Sequence, residues 1–405
     1  MLAPALVKPF ASTWPRAHEV DFYRPVHAVL GLPVDAVTLH AAQAKIYSTV
    51  AARHSCFLST PNLNFAINCL SDADFRSSVI NSDLSLADGM PLLWVARLFG
   101  MPMPERVTGS GLFERLQRHP ERMLSVYLFG GNDGAASAAE KKINAEPSGL
   151  HCVGHWSPGF GSVDAMSSEA IINDINNSHA DFLLVALGAK KGQAWIERNR
   201  ARLSVPLTSH LGAVINFAGG GIRRAPQWMQ TLGLEWLWRI REEPHLWRRY
   251  WHDGLVLLRL LLTRVLPGAL YQRWHTPRRA ALLNAWVSFS GTSSRPCIAA
   301  HGAWCESNLI RMRRSLEKIA RCDVGVELDL RDTSYVDSAF IGLLMLMHGH
   351  QSQRSLAFVI GGVSPALRRT FRFHCAEFLL QNNRATTAIQ DNNTHPWRQK
   401  TAAGS

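Results

Sequence analysis

Between residues 55 and 217 the chain repeats one pattern: a short apolar run ends on a glycine or small polar residue, and a helical stretch follows. Residues 55–59 lead into a helix over 62–70, and 84–87 end at Asp88-Gly89 before a helix over 90–99. Residues 125–129 run into Gly130-Gly131 and a helix over 134–143, and 181–187 run into Gly188 and a helix over 193–202. Residues 213–217, closing on Gly219–Gly221, complete the set as a last strand. Apolar runs alternating with helices predict a parallel α/β sheet of Rossmann-like type, covered on both faces. In open sheets of this kind ligands bind beyond the carboxyl ends of the strands. That rule nominates Thr60, Asn62, Asp88, Gly130, Gly131, Gly188 and Asn216.

Past the glycines the character changes. The window 222–279 holds eleven Arg against four acids, and six of the 13 Trp. A net charge of +12 with this local excess points to an anionic partner of one region. Trp interleaved with Arg favours a membrane interface over a merely solvated basic face, because indole is apolar with one polar N–H. Arg223, Arg224, Arg239, Arg248 and Arg249 are the candidates for a diphosphate or for lipid headgroups. The apolar run 254–270 carries Arg259 and Arg264 and reads as interfacial rather than membrane-spanning. A nucleic-acid partner would rest on net charge alone, with no recognition motif beside it.

The predicted organisation is an irregular tail over 1–25, a core over 26–222, a basic helical appendage over 223–265 and a linker over 266–284. A small second α/β unit follows over 285–390, then a disordered tail over 391–405. Pro4, Lys8, Pro9 and Pro15 interrupt any signal-peptide-like run. Seven scattered Cys, none in a C-x-x-C pair, read as reduced thiols without zinc spacing.

Several residues carry two readings. Asp88 is a general base at a strand end, or the cap of the helix after it. Thr60 and Asn62 hold a sugar or phosphate, or cap a helix that has Pro61 at its start. Arg106 grips phosphate with both arms, or pairs with Glu105. Asp72 and Asp74 form a D-x-D tripeptide but read as a solvated helix start, not as a metal site.

The blocks GLPVDAVTLHAA (31–42), STPNLNF (59–65), LADGMPLLW (86–94), RVTGSGL (106–112), YLFGG (127–131), VALGAKKGQAWI (185–196) and the long run 215–250 resemble the WecG/TagA/CpsF family, glycosyltransferase family 26. The resemblance implies an inverting transferase of Rossmann-like fold, acting without a metal or other cofactor. It implies transfer of a sugar from a UDP-sugar to an undecaprenyl-diphosphate-linked saccharide, for exopolysaccharide or cell-surface polysaccharide, at the cytoplasmic face of the membrane. The family's proposed base falls on Asp88, its active-site Thr and Asn on Thr60 and Asn62, and its R-V-x-G arginine on Arg106. Appendage arginines of the family correspond to Arg239, Arg248 and Arg249. The family usually has Gly-x-Pro-Lys-Gln-Glu where this chain has Gly188-Ala189-Lys190-Lys191-Gly192-Gln193, which moves the glutamine to Gln193, and it often has Asp in place of Asn216. Both differences bear on donor binding.

The runs 326–350 and 358–371 resemble a STAS domain, the fold of anti-sigma-factor antagonists. Ser338, after Asp337, falls on the position phosphorylated in antagonists, where a helix N-terminus favours phosphate; capping and partner docking form the other reading. The alternative to an enzyme is a non-catalytic scaffold that acts through this second unit.

Overall fold

The computed structural model describes residues 20–118, 120–145, 148–219, 225–231, 233–292 and 295–381. Most of both expected tails, and Arg223 and Arg224, lie outside them. An antiparallel hairpin comes first, β1 (Val26–Val29) and β2 (Leu32–Asp35). The core sheet then collects β3 (Cys56–Ser59), β4 (Leu84–Ser85), β5 (Leu124–Gly130), β6 (Leu150–Trp156), β7 (Phe182–Ala186) and β8 (Leu207–His210). Their order is β4-β3-β8-β7-β5-β6, and every pair is parallel. Successive residues of β5 feed opposite faces. Val126 and Leu128 join one core cluster, and Tyr127 and Phe129 the other. Helices cover both faces, which is why the strands read as unbroken apolar runs.

One expected strand is absent. Residues 213–217 belong to the helix Gly212–Ala218, and the strand in that place is β8. Periodicity cannot separate a short buried strand from a short buried helix. β8 escapes notice because Thr208, Ser209 and His210 are polar, although all three are buried; Ser209 Oγ donates to Leu58 O at 2.9 Å. The expected linker is also helical. The helix Trp247–Leu260 passes through a π-helical turn, Leu261–Val265, into Leu266–Trp274, and Arg279–Leu283 follows. Pro267 is tolerated because it falls in the first turn after the π-turn.

From Pro244 to Trp274 this makes one helical stretch of 31 residues, within which an 18-residue window has mean hydropathy 1.5, long and apolar enough to cross a membrane by length and composition. Trp247, Trp251, Leu255, Leu258, Leu262, Leu266, Leu270 and Trp274 are all exposed along it. Steps of four run about 40° ahead of a full turn, and the one step of three, Leu255 to Leu258, takes back only about 60°, so such a row drifts around an unbroken helix. The π-turn inserts one residue, takes back about 100°, and returns the second half of the row beneath the first. The opposite flank is docked. Asp253 accepts from Asn64 Nδ2 at 3.0 Å, and Gly268 lies where a Cβ would come within 2.9 Å of both Phe373 and Phe99.

The C-terminal unit is a mixed sheet. β9 (Trp286–Thr292) runs antiparallel to β10 (Arg295–Trp304), while β11 (Val326–Asp329), β12 (Thr333–Val336) and β13 (Phe358–Gly361) complete the order β12-β10-β11-β13 in parallel. Helices Ile310–Ala320, Ser338–Gln353 and Pro365–Phe373 accompany it.

The hairpin joins this unit to the core. Its tip is a primed turn, with φ 49° at Leu30 and 84° at Gly31, and a Cβ on Gly31 would stand 2.8 Å from Cys375 O. Val26 and Ala28 share a hydrophobic cluster with the C-terminal sheet, while Val29, Leu32 and Val34 share one with Phe65 and Phe75 of the core. The Ser338 helix lies against the hairpin through Gly342, where a Cβ would meet Val26 O at 3.0 Å. Thirteen of its residues are buried, as expected of a helix apolar all round. At the hairpin's base Arg24 and Asp35 form a two-armed buried pair, Nε–Oδ1 3.0 Å and Nη2–Oδ2 2.6 Å. Removing one partner of a buried pair strands the other charge and costs about 3–5 kcal/mol. Asp35→Ala is therefore expected to lower the melting temperature of core and C-terminal unit together, in one calorimetric transition. A core-only shift, with the C-terminal unit melting where it does in the unmodified chain, contradicts the shared anchorage.

Candidate active site

The carboxyl ends of β3, β4, β7 and β8 face one edge of the sheet. Asp88 stands three residues beyond β4, its N–H bonded to Pro61 O at 2.9 Å. It does not cap the helix that follows it. Gly89, at φ 143°, holds that cap position for Met90–Leu98, a conformation that suits glycine. The Asp88 carboxylate turns instead to Gly109, accepting its N–H at 3.3 Å at the start of the helix Gly109–Arg118. Gly109 is also where a Cβ would come within 3.4 Å of Thr60 Oγ1, so Thr60, Asp88 and Gly109 converge. Asn62 caps the helix Leu63–Ser71, its side chain accepting from Phe65 N at 3.1 Å. Its Cβ would lie 3.7 Å from one added at Gly89, which sets it beside the Asp88 turn.

Arg106 does not pair with Glu105, whose carboxylate accepts from Leu39 N at the start of Leu39–Ala51. It reaches Glu235 of the appendage with both arms, at 3.1 and 3.5 Å. Burial of the Asp88 carboxylate raises its pKa to about 6; the Gly109 N–H works against the rise, Glu235 adds to it, and Arg106 and Arg239 oppose it. Arg239 itself pairs with Glu243 at 2.8 Å and lies over the Phe217 ring. Asp88, Arg106, Glu235 and Arg239 are thus one electrostatic group, drawn from the core and the helix Glu235–Glu242. Glu235 is the member that sequence reasoning missed; its signal was a lone acid at the head of a basic helix.

Gly130 and Gly131 form the tight turn after β5, with φ 99° and 89°, and a Cβ at Gly130 would stand 2.6 Å from Ala186 O. Gly188, at φ 80°, opens the helix Ala189–Asn199 with free space where a Cβ would lie. Gln193 does not stand at the opening. It is fully buried in that helix and bonded to Ser59 Oγ at 2.9 Å, because the helix begins at Ala189, earlier than predicted, and turns Gln193 inward. His210, missed by sequence reasoning, fills the space above Gly192: a Cβ there would come within 2.2 Å of its ring. Desolvation lowers the His210 pKa to about 4, and its Nε2 has no partner among the described residues.

Arg248 and Arg249 are exposed, lying over Trp247 and Tyr250 respectively. Asn216 sits in the helix Gly212–Ala218, with its side chain outside the described residues, as Arg223 and Arg224 are. Asp72 caps the helix Ala73–Ile80 and pairs with Lys190. Among the described residues no cluster of three or more His, Cys, Asp or Glu is placed to hold a metal ion.

A carboxyl group titrating near 6 is half-neutral in mild acid and ionised at neutral pH, the condition of a general base. Glu235→Gln removes a charge that raises this pKa and releases Arg106, which lowers it. The Asp88 carboxyl is therefore expected to titrate below about 6 in that variant, as read by the carboxyl carbon resonance over a pH series. An unchanged or higher midpoint contradicts the coupling.

Residues 27–269, more than half of the chain, match the family model described as "Glycosyl transferase WecG/TagA/CpsF family". The N-acetylglucosaminyldiphosphoundecaprenol N-acetyl-beta-D-mannosaminyltransferase of Bacillus subtilis (strain 168) is 25% identical over 193 residues, which are 47% of this chain and 73% of that protein. The protein of the same name from Bacillus spizizenii is 23% identical over 194 residues, 48% of this chain and 74% of the relative.

Proposed function

Since the chain belongs to the WecG/TagA/CpsF family of glycosyltransferases, we propose that it moves a sugar from a UDP-sugar to an undecaprenyl-diphosphate-linked saccharide during synthesis of a bacterial cell-surface or exopolysaccharide. The observation that carries this reading is the Asp88 carboxyl, raised to about 6 and grouped with Arg106 and Arg239. Asp88 takes the proton of the acceptor hydroxyl. That oxygen forms a bond to the anomeric carbon as the bond from that carbon to the UDP oxygen breaks, so a single displacement inverts the configuration. UDP leaves with its growing charge set against Arg239 and Arg106, the latter exchanging Glu235 for phosphate oxygens. Thr60 and Asn62 border the reacting hydroxyl, and Gly188, with open space where a Cβ would lie, allows the donor to approach the backbone near the Gly130-Gly131 turn. No step calls on a metal or other cofactor. Gln193, tied to Ser59, takes no part.

The protein works from the inner face of the cell membrane. The exposed row from Trp247 to Trp274, with Trp228 and Trp236 and the flanking Arg248 and Arg249, suits an interface of apolar chains and anionic headgroups. The docked flank at Asp253 and Gly268 favours a helix lying in that interface over one crossing it. The C-terminal unit serves in this reading as a STAS-like module held in place by the hairpin. Ser338 is 6% exposed, with His27 Nδ1 at 3.0 Å from its Oγ, so a kinase reaches it only if the module parts from the hairpin.

Two measurements follow. Radiolabelled UDP-sugars, UDP-N-acetylmannosamine first in view of the relatives' names, are to be offered with polyprenyl-diphosphate N-acetylglucosamine in vesicles; one label is expected to pass into the lipid fraction. No transfer from any donor, together with no binding of UDP, overturns the reading in favour of a scaffold. The second concerns the membrane: Leu258→Glu with Leu262→Glu is expected to weaken vesicle co-sedimentation by at least about tenfold without altering the fold. Unchanged sedimentation removes the exposed row from the membrane contact.

A further inference from the structure

A cavity of about 450 Å³ lies where the core, the long helix and the C-terminal unit meet, and none of the Asp88 group lines it. Its floor is apolar, with Leu30 at the hairpin tip, Leu260 and Phe378. Its polar lining is dominated by four arginines from three segments, Arg76, Arg259, Arg264 and Arg372, against the single acid Glu377.

The cations are not equally engaged. Arg264 donates to Glu377 at 2.5 Å and to Arg372 O at 2.6 Å, so the one carboxylate is already neutralised. Arg76 donates to Cys69 O at 2.7 Å and lies over the Phe378 ring at 4.3 Å. For the guanidinium groups of Arg259 and Arg372 no hydrogen bond or ion pair occurs among the described residues. An adjoining cleft shares Arg372 and Glu377 and adds Arg368 and Arg369. Like charges gathered in a concavity repel one another and raise the local concentration of anions.

We propose that this cavity is a second anion site, which binds a phosphate group between Arg259 and Arg372. An anionic phospholipid is the favoured source: the apolar floor fits the start of an acyl chain, and Arg259 lies on the helix that carries the exposed row. The phosphate assignment stands on the cavity's own charge, whereas the lipid source rests on the membrane reading above. A bound headgroup bridges the long helix to the C-terminal unit. It therefore ties the position of that unit to the composition of the membrane surface.

The test uses the full chain without donor or acceptor, so its result does not depend on whether transfer is seen. Vesicles of phosphatidylcholine alone, and with phosphatidylglycerol added, are compared for the unmodified protein, for Arg259→Ala with Arg372→Ala, and for Arg278→Ala with Arg279→Ala. The last pair removes the same charge from an exposed stretch outside the cavity. Thermal shift by inorganic phosphate and by glycerol 3-phosphate forms the soluble arm. The cavity pair is expected to lose about tenfold or more of the phosphatidylglycerol preference and the control pair much less. A stabilisation by the soluble phosphates that vanishes in the cavity pair, with vesicle binding unaltered, keeps the phosphate site and overturns the lipid source. Equal losses in both pairs, or no change in the cavity pair in either arm, overturn the site. Circular dichroism of each variant checks that the fold is kept.

Discussion

The buried pair of Arg24 and Asp35 is the interaction on which the rest of the arrangement depends. Besides each other, the two side chains grip both ends of the short segment that enters β4. Arg24 donates to Ser82 O at 2.7 Å, and Asp35 accepts from Ser85 N at 2.7 Å. Asp88 follows three residues later. The Asp88 turn is thus anchored from behind by a hairpin whose other face is covered by the C-terminal unit. Arg313 of that unit donates to the backbone oxygens of Phe22 and Arg24, and His374 contacts Ala28 O at 3.2 Å. A charged pair with so many further bonds satisfied escapes the usual desolvation deficit of buried ions. It also makes the C-terminal unit part of the support of the site rather than a tethered passenger.

The front of the site is governed by a second ion pair of a different kind. Arg106 and Glu235 are partly exposed, and they join the core to the appendage beside Asp88. Any anion that draws Arg106 must compete with Glu235. In doing so it engages the positive charge beside Asp88 and leaves the Glu235 carboxylate unpaired. The rear pair is therefore structural and the front pair exchangeable, a division that follows from burial.

Much of this was legible in the sequence because the parallel sheet announces itself through apolar runs that stop at glycines. Thr60, Asn62 and Asp88 were picked out by their position after such runs and Arg106 as a lone cation before a glycine-rich turn, and the fold gathers Thr60, Asn62 and Asp88 around Gly89 and Gly109. What was not legible had physical causes. β8 hides behind Thr208, Ser209 and His210, whose polarity is absorbed by burial and local bonds. Residues 213–217 are apolar enough for a strand and short enough for a helix turn. Gln193 is the glutamine nearest the family's position, and a helix expected from 193 rather than from Ala189 hid that it turns inward. The hairpin gave no turn signal, since its left-handed first residue is Leu30, whose side chain is buried and offsets the strain. Proline and glycine at 267–268 suggested a linker, but the π-turn before them lets the helix continue and Gly268 lets it dock.

The central claim is that Asp88 removes the acceptor proton. The most direct measurement is the rate of sugar transfer by Asp88→Asn beside its affinity for UDP-sugar. The amide keeps the size of the side chain and can still meet Gly109 N–H, but it cannot take a proton at neutral pH. The account requires a fall of about 10²–10⁴-fold in rate with donor affinity unchanged. Undiminished transfer by that variant would contradict it.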